Sequence, residues 1–125
     1  MPRFLVLNVS SDVLLLEIRG RVLSSAGYIV VNQCSTTDAT SVFLSGDFDV
    51  VILCYSIPSP DRRNFVDLIH AKSPFTPVVV ISSGVEAYDR SADAFVENDP
   101  QALLQELGEV LRKSAERVRT LRKQA

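Results

Sequence analysis

Tryptophan is absent from this chain of 125 residues, methionine and histidine occur once each, and only two cysteines are present, Cys34 and Cys54. Each shortage excludes a class of protein. One imidazole, His70, and two cysteines without metal-like spacing leave neither a zinc cluster nor a disulfide framework to build. Apolar runs such as Val50 to Tyr55 and Val78 to Ile81 are strand-sized, far from the roughly 20 residues that cross a membrane. The opening MPRFLVLNVSSD offers one arginine, a short apolar run and no small-residue cleavage site, which argues against a secretory signal. The expectation is a cytoplasmic protein without membrane contact.

What is present suits one folded domain. Hydrophobic residues make up 46% and charged residues 22%, a balance that supports a core and argues against disorder, and the length allows a single core of ordinary size. Charge is uneven. Residues 1–111 hold 7 Lys or Arg against 14 Asp or Glu, net -7, while residues 112–125 hold 6 against 1, net +5, for a total of -2. The sequence therefore divides into an acidic body, 1–111, and a basic extension of its last helix, 112–125.

Four segments, FLVLNV from Phe4, YIVV from Tyr28, VVILC from Val50 and VVVI from Val78, are apolar without polar alternation. Such runs fit strands covered on both faces, as in a parallel sheet. Helical periods lie between them. Ser11 or Asp12 can cap a helix whose inner face is Val13, Leu16, Val22 and Leu23 and which Gly27 ends. Thr37 and Asp38 open a short helix that Gly46 stops. Ser59 and Pro60 give a cap followed by proline at the first helical position, with Phe65, Leu68 and Ile69 facing inward and Arg62 and Arg63 facing solvent. Asp99 and Pro100 repeat that signal before the longest helix, with Leu104, Leu107, Leu111, Val118 and Leu121 along one side. A brief fifth strand covers 94–96. Strands alternating with helices predict a doubly wound α/β sandwich, whose ligands sit at the carboxyl ends of the strands. Those ends carry Asn8, Val9, Ser10, Cys54, Ser82 and Asn98.

The stretches FLVLNVSSD, AGYIVV, SGDFDVVILCYSIPSPDRRNFVDLIH, FTPVVVISS and SADAFVENDPQALLQEL together resemble the receiver domain of bacterial two-component response regulators. The likeness runs from Phe4 to about Leu111. It implies a flavodoxin-like five-stranded parallel sheet of order 2-1-3-4-5. It also implies an acidic pair and a phosphoacceptor aspartate that hold Mg²⁺, a Ser or Thr ending strand four and a lysine after strand five. Carried over residue by residue, the acidic pair falls on Asn8 and Val9, the acceptor on Cys54, the hydroxyl on Ser82, the lysine on Asn98 and the strand-five aromatic on Phe95. Only the hydroxyl and the ring match. A hard cation wants oxygen ligands, and one amide, a valine and a soft thiol supply a poor set. The 12 residues 83–94 leave room for a fourth helix of about two turns at best, so it is expected shortened or missing.

These departures point to a degenerate, pseudo-receiver module of phosphorelay signalling. It would act by protein-protein contact with a signalling protein or histidine kinase, and would be no enzyme, with no cofactor, no bound metal and no Mg²⁺-dependent aspartyl phosphorylation. A thiol redox switch at Cys54 is the alternative. A disulfide to Cys34 is out of reach, because strands two and three should flank strand one at about 9 to 10 Å from each other. His70 suits the dipole at the end of its helix. The overhanging end of the last helix reads either as a surface for a homodimer or as a solvated tail. Without interleaved aromatics it is a weak match for nucleic acid.

Overall fold

The structure, a computed structural model, describes residues 3–83 and 92–124. Five strands, β1 (Leu5–Val9), β2 (Ile29–Gln33), β3 (Val50–Cys54), β4 (Val78–Ser82) and β5 (Ala94–Glu97), alternate with α1 (Val13–Ser25), α2 (Thr36–Ser45), α3 (Ser59–Lys72) and α4 (Pro100–Gln124). The sheet is wholly parallel in the order β2-β1-β3-β4-β5, as the sequence predicts. The expected short helix between β4 and β5 falls largely on residues 84–91, outside the described residues, and four helices lie among the described ones.

Alternation along the strands divides the core. Leu7, Val9, Val51, Leu53, Val78 and Val80 point to the side covered by α2 and α3, where they meet Phe43, Phe65, Val66 and Ile69. Val6, Val50, Ile52, Val79 and Ile81 point to the other side and meet Leu23 of α1 and Leu103, Leu107 and Leu111 of α4. Period-two side-chain direction makes every central strand apolar on both faces, which is why no polar alternation shows in the sequence.

The caps are mostly where the sequence puts them. Asp12 accepts from Leu15 N at 3.1 Å, and Gly27 takes φ +99°, which frees the chain to turn into β2. α2 begins one residue earlier than expected, with Ser35 Oγ accepting from Asp38 N. α3 departs from expectation: Ser59 is its first residue and no side chain caps it.

Three inward faces also need correction. Val13 is 65% exposed, and Arg19 and Gly20 take the buried stripe with Leu16 and Leu23. Arg62 does not face solvent; it is buried and donates to the carbonyls of Tyr55 and Ile57. In α4, Leu103 and Val110 are buried with Leu107 and Leu111, while Leu104 is only half-buried.

α4 is one unbroken helix of 25 residues, about 37 Å long. Asp99 Oδ2 accepts from Ala102 N at its start. Ser114 Oγ donates to Phe75 O at 3.2 Å, tying the helix to the loop before β4. Beyond Ser114 the apolar seam continues through half-buried Val118 to Leu121, which is 42% exposed. Among the described residues no helix is long and apolar enough to cross a membrane.

Candidate functional site

At the carboxyl end of the sheet the residues at the expected site positions separate. Asn8 and Cys54 turn to the α1/α4 side, whereas Val9 packs into the core under α2 and α3, and Phe95 packs against that same core. Ser82 ends β4 in register with Glu97.

Asn8 is 1% exposed, and its amide nitrogen is committed: Nδ2 donates to Leu16 O at 3.3 Å and to Asn32 Oδ1 at 3.0 Å. Asn8 and Asn32 are register partners on β1 and β2. Helix α1 lies against them through Gly20, where an added Cβ would stand 2.7 Å from Asn32 Nδ2. Glycine here permits the close approach of helix to amide pair.

The residue that organises the site is Arg19. It is 6% exposed, its Nη1 donates to Cys54 Sγ at 2.8 Å and its Nη2 to Asn98 Oδ1 at 2.7 Å. Its guanidinium carbon lies 5.9 Å from the centre of the Tyr55 ring, within cation–π range. One side chain from α1 thus joins the acceptor position on β3 to the lysine position after β5. A guanidinium stays protonated in a protein. No carboxylate pairs with Arg19 among the described residues, so the thiol, the amide oxygen and the ring compensate its burial. Burial pushes the Cys54 thiol up, but hydrogen bonds from Ser56 (side chain and backbone), Ser10 and Arg19 outweigh it and hold the thiol below its ordinary value. Cys54 itself is 1% exposed.

Serines close the loops above. Ser11 Oγ donates to Ser56 O at 2.8 Å, Ser11 N to Ser56 Oγ at 3.1 Å, and the Ser10 and Ser56 hydroxyls lie 3.1 Å apart. The β1–α1 and β3–α3 loops are stitched together where the family resemblance would have them frame a metal.

These residues do not fit Mg²⁺. Val9 has no ligand atom and is buried on the other face, Asn8 offers at most one neutral amide oxygen, and the Cys54 sulfur is soft and faces a fixed cation. Among the described residues no cluster of three His, Cys, Asp or Glu could hold a metal. Asp12, the nearest carboxylate in sequence, is occupied as a helix cap.

Nothing in the local sequence marks Ser56, and the one signal for Arg19 is its spacing, third after Leu16 and fourth before Leu23 on the inward stripe. His70 meets Asp93, with Nε2 3.0 Å from Oδ2, and the same carboxylate oxygen accepts from Val78 N at 2.7 Å. That pair fastens α3 to the strand β4 and the entry to β5, remote from Cys54. Cys34, just past the end of β2, and Cys54, the last residue of β3, are both free thiols, and β1 lies between those two strands.

Sheet order and helix placement match the CheY-like flavodoxin fold. A response regulator receiver domain protein (CheY-like) from Methanospirillum hungatei JF-1 superposes with TM-score 0.82 at 17% identity, over 93% of this chain and 99% of that one. The signal receiver domain of an HD domain-containing protein from Pseudomonas fluorescens Pf-5 gives 0.83 at 20% identity, over 95% and 94%. Chemotaxis protein CheY4 of Vibrio cholerae gives 0.77 at 22% identity, over 87% and 99%. No protein-family description and no curated protein matches the sequence.

Proposed function

We propose that this chain is an atypical receiver module of two-component signalling that works by protein-protein contact, with neither enzymatic activity nor Mg²⁺-dependent aspartyl phosphorylation. One observation carries the reading: Arg19 spans Cys54 and Asn98, at 2.8 and 2.7 Å. A receiver in the usual sense gathers carboxylates to attract a dication, and a phosphoryl group landing there brings about -1.5 to -2 charges that the metal and a lysine offset. Here an internal cation already sits at the acceptor position, bonded to Cys54 and Asn98. Such a module presents one fixed surface to a protein partner.

The test is a titration with Mg²⁺ and beryllium fluoride, followed by amide shifts of Cys54, Ser82 and Phe95. No saturable change at millimolar ligand is expected. Saturation there would overturn the proposal.

The contact between Arg19 and Cys54 also favours a second reading, a thiol switch, since a cation beside a cysteine stabilises the thiolate. Alkylation rate against pH decides it: a midpoint near the free-cysteine value of about 8.5 or above removes that reading.

A further inference from the structure

The charge asymmetry of the sequence becomes a spatial asymmetry in the fold. α4 starts at the carboxyl end of the sheet and runs toward the opposite end, where Ser114 makes its tie to the Phe75 carbonyl. Past that tie the overhang carries an apolar seam, Val118 and Leu121, amid basic residues. Arg112 is engaged by Glu109 at 3.0 Å and Glu116 at 2.8 Å. Lys113 lies close enough to Glu109 to help stabilise its carboxylate, while Arg117, Arg119 and Arg122 form no ion pair among the described residues.

At the other end of the molecule a cleft of about 160 Å³ opens between α1 and the start of α4. Leu15, Ile18, Val22 and Leu103 form its apolar wall, and Glu97 and Asp99 stand on its rim. Ile18 is 47% exposed and Leu14, one turn earlier on α1, 66%, so the apolar wall continues onto open surface. Arg19 lines the cleft too, but it is buried, with bonds to Cys54 and Asn98, whereas Glu97 and Asp99 are both exposed. The two carboxylates therefore set the sign of the rim.

We infer that the basic overhang of α4 docks in the α1/α4 cleft of a second copy of this chain, head to tail. Val118 and Leu121 of the overhang meet the apolar wall, and its arginines meet Glu97 and Asp99. The contact is between copies because both parts lie along one rigid helix: Pro100 and Val118 are 18 positions apart, about 27 Å, and the tail cannot fold back onto its own cleft. Tail-to-tail pairing is opposed by charge, since each terminal segment, 112–125, carries net +5, whereas tail on body joins +5 to -7. This names a partner for the protein-contact reading above and rests on it only in that respect; the beryllium fluoride titration probes the acceptor pocket and not this contact, so the two fail separately.

The experiment uses the full chain and two surface variants, Ile18→Arg in the cleft and Leu121→Asp in the tail, each checked for a native circular dichroism spectrum. Sedimentation velocity at low salt is expected to show concentration-dependent association of the native chain, weakened by salt. Each variant alone should weaken association about tenfold or more, the scale for a charge placed in an apolar contact centre. An equimolar mixture should associate again, because Leu121→Asp keeps an intact cleft and Ile18→Arg an intact tail. A native chain that stays monomeric throughout would overturn the inference. So would self-association of Ile18→Arg at native strength, or a mixture no stronger than either variant.

Discussion

Under α2 and α3 the sheet is sealed by hydrocarbon and rings, whereas under α1 and α4 it carries a guanidinium, an amide pair and a thiol. On the first side Phe43 stacks on Phe48 with centroids 6.2 Å apart and meets Phe65 edge-on at 6.4 Å. On the second, Leu16, Arg19, Gly20 and Leu23 share the buried stripe of α1, and the polar members are held by named partners. The difference teaches what each face contributes. Apolar burial supplies most of the stability and little geometric choice. A satisfied polar network contributes less net energy but fixes one arrangement, since a displaced donor has no substitute partner in a dry interior. The site lies on the second face, among the groups so fixed.

The comparison can be broken at either face. Phe65→Ala on the sealed side should cost most, about 3 to 5 kcal/mol in chemical denaturation, because an aromatic at 2% exposure leaves a cavity behind. Gly20→Ala on the polar side should cost about 1 to 2 kcal/mol, because Asn32 must turn away and give up its bond to Asn8. Combining Gly20→Ala with Asn32→Ala should recover part of that loss, a coupling readable in a double-mutant cycle. Asp12→Ala removes the cap at Leu15 N and should cost about 1 kcal/mol.

The smallest effect expected is a pH dependence. The folded Cys54 thiol is held below its ordinary value, so its contribution to stability is fully present above the unfolded thiol's pKa and is lost as pH falls through the folded one. Denaturation midpoints measured between neutral pH and about 9 should rise with pH in the native chain and more weakly in Cys54→Ser.

Most of the architecture is legible in the sequence because it rests on signals that act locally. Continuous apolar runs mark strands buried on both sides, Asp12 and Asp99 sit where helix donors need acceptors, and Gly27 supplies the positive φ. The arginines were harder to read. Arg19 and Arg62 both occupy inward positions by spacing, with Leu16 and Leu23 in one case and Phe65, Val66 and Ile69 in the other, yet residue type argues for solvent. What overrides type is the presence of partners outside the helix itself: Cys54 and Asn98 for Arg19, 35 and 79 residues distant, and for Arg62 the Tyr55 and Ile57 carbonyls of the loop that precedes its helix, 7 and 5 residues away. Ser56 carries no local signal either, since its value lies in meeting Ser10 and Ser11 across about 45 residues. The mismatched acceptor positions could be read from the chain, but the cation that stands beside them could not.

The most direct measurement is a crystal structure of the full chain grown with magnesium and beryllium fluoride. The predicted density is a guanidinium bridging the sulfur of residue 54 and the amide oxygen of residue 98. An octahedral ion beside Asn8 with Arg19 swung away would contradict it.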